Sequence, residues 1–158
     1  MVAELRKIDK SLYETDYNLW VLETVSQLQH RDLDTLDWDN LIEEVEALSR
    51  RDKNKLASLL TRLLEHLLKL GYWRAEKERN QNHWRREILN FRLQVKRLLK
   101  DSPSLKPYLL EIFNECYKDS RKLARDSSGL LISHFPEQPI ANLDQILDED
   151  WFPPSAED

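Results

Sequence analysis

Tyr72, Trp73 and Trp84 alternate with Arg74, Lys77, Arg79, Arg85 and Arg86 across the stretch YWRAEKERNQNHWRR. Rings interleaved with cations are what single-stranded nucleic acid binding uses, bases stacking on the rings while the cations meet phosphates. Glu76 and Glu78 dilute that charge, and a pI near 5.5 is wrong for a chain devoted to nucleic acid. Two tryptophans beside a helix–helix connection serve equally to close the end of a core. The segment 72–86 is therefore a candidate nucleic-acid contact that ranks behind a structural role.

A second set of chemistry-bearing residues falls at the edges of apolar helical faces. Asp16 precedes Trp20 by one helical turn, which puts a carboxylate beside the aromatic face of Tyr13, Tyr17 and Trp20. Glu44 borders the stripe of Leu41, Val45 and Leu48, and His66 borders a run of leucines. Arg85 and Arg92 flank the stripe of Trp84, Ile88, Phe91 and Val95, and Asp119 lies beside the face of a later helix. Arginine at such an edge reaches carboxylates on a facing helix, so Asp16, Glu44 and Asp119 are its expected partners. A metal or small-molecule site would need at least three of these residues to converge in one cleft.

The known metal spacings are absent. None of His30, His66, His83 and His134 follows a glutamate by three residues, and there is no His-Glu-x-x-His. No cofactor is expected, nor does any nucleophile stand at an informative distance from a base. The lone Cys116, among apolar residues, is expected to be a buried and inert thiol.

The element that must position all of this is Leu56–Trp73, LASLLTRLLEHLLKLGYW. At 100° per residue its leucines cover about half the circumference, which demands cover from several sides. Ser11 and Glu14 have capping-box spacing before a helix over 12–29. Asp37 or Asp39 caps the next, with Leu41, Val45 and Leu48 inward, and Ser49 with Asp52 predicts a break before the central helix, which Gly71 ends. Asn80 or Asn82 caps a helix reaching Asp101. Pro103 or Pro107 opens one that runs to Ser127, buries Ile112, Phe113, Cys116 and Leu123, and stops at Gly129. The tail from residue 130, with four prolines and a short helix capped by Asn142, is too apolar to stay free and should lie back on the bundle.

The expected fold is all-α, a single-domain bundle spanning 1–158 with about five long helices, a short C-terminal helix and a packed tail, residues 1–10 forming an extension. The 158 residues can bury a core without disulfide or metal, and two glycines leave no phosphate loop. No apolar run reaches membrane-spanning length and the first residues lack a signal-peptide core, so a cytoplasmic protein is expected. Residues 1–50 hold twelve acidic and five basic side chains, 51–100 five and fourteen, and 101–158 twelve and five, giving −7, +9 and −7. Neutralisation within the bundle is the expected reason for this segregation, and a face for an acidic partner is the alternative.

The ordered motifs Tyr13-Glu-Thr-Asp-Tyr-Asn-Leu-Trp20, LDWDNLIEEVEAL, LLEHLLKLGYW, NHWRREI, DSPSLKPYL and FPEQP resemble domain-of-unknown-function family twenty-nine, bacterial and mostly cyanobacterial proteins of similar length. The resemblance runs from about Leu12 to Pro153 and implies a helical bundle, with no activity or cofactor to carry over. The leading expectation is a non-catalytic interaction module, binding a protein partner or forming a homodimer. A nucleic-acid contact at 72–86, or a metal or small-molecule site at the core edge, stands as the alternative. The candidate binding residues are Asp16, Trp20, Glu44, His66, Trp73, Trp84, Arg85, Arg92 and Asp119.

Overall fold

The computed structural model describes residues 11–155, and among these there are helices and no strands. The helices are α1 (Leu12–Thr15), α2 (Tyr17–Gln29), α3 (Trp38–Tyr72), α4 (Arg74–Asp101), α5 (Lys106–Ser128) and α6 (Leu143–Leu147), with 3-10 turns at Pro103–Leu105 and Ile132–His134. Two compact units part between Arg50 and Arg51, a boundary that falls inside α3. None of the described helices is long and apolar enough to cross a membrane.

In the N-terminal unit the helix expected over 12–29 is broken at Asp16. Its backbone leaves the helical region, and its side chain accepts the Leu19 amide at 3.0 Å, so a residue that competes for backbone donors ends α1 and caps α2. Ser11 precedes α1 without a side-chain cap, so the expected capping box does not form. At α3 Asp37 is the cap, its carboxylate reaching the Asn40 amide at 3.4 Å and the Asn40 side chain at 2.7 Å. Among the described residues of this unit the buried ones are few, Trp20, Thr24 and Leu36.

The expected break near Ser49 is absent, and α3 runs unbroken for 35 residues, roughly 50 Å. Ser49 and Asp52 have capping-box spacing, yet no glycine or proline interrupts Trp38–Leu70, and each helical hydrogen bond kept outweighs the modest propensity cost of Ser and Asp. Val45 and Leu48, expected inward, are exposed, and Leu41 is half-buried.

The C-terminal unit is built on the second part of α3, as the leucine arc requires. Leu56, Leu60, Leu63, Leu64, Leu67 and Leu68 have no exposed surface, and Ile88, Val95, Leu109, Tyr117 and Phe135 complete their surroundings. Gly71 does not end α3 in the left-handed conformation; the helix runs on to Tyr72. Its missing side chain matters for another reason, because a Cβ there would lie 3.2 Å from Pro153. The chain bends at Trp73 and α4 starts at once, so neither Asn80 nor Asn82 is a cap.

Pro107 occupies the first turn of α5, where a missing amide hydrogen costs nothing. Gly129 ends that helix at φ 72°, its amide donating to the Arg125 carbonyl at 2.8 Å. Cys116 is buried as expected, Ile112 and Phe113 are half-buried, and Leu123 is exposed. The tail does return to the core: Asn142 and Gln145 form a reciprocal capping box, and Phe135, Leu143, Ile146 and Leu147 are buried.

Candidate functional site

Asp16, Trp20 and Glu44 all lie in the N-terminal unit. Glu44 accepts hydrogen bonds from the hydroxyls of Tyr13 (2.6 Å) and Tyr17 (2.8 Å), tying α1 and α2 to α3. That bond to a carboxylate, reinforced by burial, pushes the Tyr13 phenol up to about 12. Trp20 packs edge-on to Tyr13 at 4.9 Å and stacks on Tyr17 at 5.8 Å, its indole N–H buried without an acceptor among the described residues. Asp16 is committed to the α2 amide. The three serve an aromatic clip, and Trp20 also lines a small cavity of about 170 Å³ with Leu12, Glu23, Thr24, Gln27, Thr35 and Asp37.

The remaining candidates lie in the C-terminal unit. His66 donates from Nδ1 to the Arg62 carbonyl at 2.9 Å and meets Phe91 edge-on. Burial, followed by the charge of Lys69, lowers its pKa, so it sits neutral in the core. Trp73 stacks on Trp84 at 5.6 Å, and Trp84 is buried, so the rings expected to hold bases face each other instead. Arg85 lies over the Phe152 ring at 4.2 Å. Asp119 pairs with Lys122 on the surface.

Arg92 does not meet the carboxylate expected for it. It is fully buried and donates to the carbonyls of Ile146 (2.8 Å), Trp151 (2.7 Å) and Glu149 (3.4 Å), with Phe152 beneath it. The fixed fork of guanidinium donors reaches three backbone carbonyls of one segment at once, and here it staples the tail to α4. Desolvation lowers its pKa, which Asp148 and then Glu149 oppose.

Outside the aromatic clip the candidates meet at most in pairs, Trp73 with Trp84 and Arg85 with Arg92 about Phe152, and no three His, Cys, Asp or Glu among the described residues are grouped to hold a metal. A groove of about 380 Å³ between α3 and α5 is lined by Ser58, Thr61, Arg62, Glu115, Cys116 and Asp119, among others. The Cys116 thiol there donates to the Ala57 carbonyl, and burial pushes its pKa up, which keeps it a protonated, poorly nucleophilic thiol. A polar pair escaped the sequence reading: Glu65 and Lys69, both buried, approach to 3.5 Å while Ser127 donates to Glu65. Their spacing of four within a leucine helix was the available signal.

What the structure leaves open to solvent lies elsewhere. Along the first part of α3, Trp38, Ile42, Val45 and Leu48 are 48%, 52%, 58% and 57% exposed, and on α2 Leu22 and Val25 are exposed as well. Asp39, Glu43 and Glu46 border the α3 stripe on one margin, Glu43 and Glu46 sharing Arg50. Of the basic segment Lys96 pairs with Glu149, whereas Arg79, Arg86, Arg97 and Lys100 on α4 make no ion pair among the described residues.

A family model described as "Domain of unknown function DUF29" matches residues 12–152 of the chain. No curated protein and no solved structure matches it.

Proposed function

The chain belongs to the DUF29 family, and on that premise we propose that it is a non-catalytic protein–protein interaction module whose N-terminal unit docks an amphipathic helix. The observation that carries this reading is the stripe of Trp38, Ile42, Val45 and Leu48. Four large apolar side chains lie in line on one helix, each about half exposed, where a covered helix would bury them. Their intervals of three and four residues suit a helical occupant, and the acidic margin of Asp39, Glu43 and Glu46 favours one with basic flanks. A cytoplasmic setting is part of the proposal: the single cysteine is a free thiol, and disulfides belong to oxidising compartments.

The test is a titration of the full chain with two synthetic helical peptides that share a leucine stripe and differ only in lysine or glutamate flanks, followed by tryptophan fluorescence. The lysine peptide is expected to bind, and the double variant Ile42→Ser/Val45→Ser to bind it at least about tenfold more weakly with circular dichroism unchanged. Binding by neither peptide, or equal binding by the variant, would overturn the reading.

A further inference from the structure

We propose that the occupant of the α3 stripe is a second copy of this chain, presented through the outer face of its α4, an inference that rests on the module reading above. Arg79, Arg86, Leu89, Leu93, Arg97 and Lys100 recur at intervals of three, four or seven residues, which places them along one stripe of α4. All six are exposed, the two leucines at 43% and 45%, and the four cations carry no ion pair among the described residues.

This face is the chemical complement of the exposed part of α3. One helix presents apolar side chains with carboxylates on its margin; the other presents apolar side chains between guanidinium and ammonium groups. Joining them covers both apolar sets and brings the −7 segment of one copy to the +9 segment of another. Two like stripes could not pair so well, since two α3 stripes would set carboxylates against carboxylates and two α4 stripes cations against cations. The contact is therefore heterologous, one face of a copy against a different face of its neighbour. Nucleic acid fits α4 less well, because phosphates would engage the cations and leave Leu89 and Leu93 uncovered.

Sedimentation of the full chain tests this. Wild-type protein is expected to self-associate with rising concentration, less at about 0.5 M salt than at about 0.05 M because the charges lie at the rim. Glu43→Lys/Glu46→Lys and Arg86→Glu/Arg97→Glu, each alone, should weaken association at least about tenfold, since each sets like charges together. An equimolar mixture of the two should associate again, because the reversed α3 margin of one meets the reversed α4 stripe of the other. A wild-type chain that stays monomeric to about 100 μM overturns the inference, and binding of the lysine peptide by that chain would leave the module reading standing. Self-association that both variants retain, or a mixture that fails to restore it, overturns the inference too, by assigning the contact to another face.

Discussion

The two parts of α3 share one helix and one apolar spacing, yet they meet opposite surroundings. From Leu56 to Leu68, six leucines have no exposed surface, whereas from Trp38 to Leu48 four large apolar side chains are about half exposed. Helical periodicity announces that a face is to be covered. It carries no record of what covers it. In the C-terminal unit the cover is α4, α5 and the returned tail; in the N-terminal unit that stripe is open to solvent.

Cavity formation gives the sharpest test of this contrast. Leu63→Ala should cost roughly 2 to 5 kcal/mol in chemical denaturation, because Leu63 is enclosed on all sides and the space it leaves cannot collapse fully. A loss below about 1 kcal/mol would mean that the buried part of α3 is no better packed than the exposed part, and the comparison would fail.

Acidification should act on the same buried part. Burial lowers the folded-state pKa of His66 below its unfolded value, so between the two the unfolded chain binds more protons. Stability from neutral His66 is thus present above about pH 6.5 and is lost as pH falls from there toward the lowered folded value. His66→Gln should flatten that acid-side slope in a series of denaturation midpoints. A slope unchanged by the substitution would remove His66 from the account.

The smallest effect belongs to the other part of the helix. Val45→Ser should change stability by less than about 0.5 kcal/mol, since little burial is lost at a half-exposed position. A cost comparable to that of Leu63→Ala, measured on dilute monomeric protein, would show that the stripe is already covered within one chain.

Much of the frame was legible residue by residue. The leucine arc announced the central helix, Gly129 and Asn142 marked a stop and a start that the structure keeps, and the apolar tail had to return. Local signals misled where longer-range continuity outweighed them. Ser49 with Asp52 reads as a cap, but a cap is used only where the helix is already broken. Gly71 reads as a stop, but its lack of a side chain answers to Pro153, far away in sequence. Of the candidate site, the aromatic clip was partly visible in Asp16 and Trp20. The role of Arg92 was not, because backbone carbonyls of a distant segment leave no mark on residue type.

By itself the sequence determined the all-helical class, the helix that forms the core and the sign of charge along the chain, since each follows from composition and from spacing within a dozen or so residues. The tertiary structure alone decided which apolar stripe is buried and which is open, which cations are paired, and which partner each candidate polar residue meets. Those outcomes depend on which elements meet. Elements far apart in sequence are brought together by the summed burial of many small contacts, and no local pattern encodes that sum.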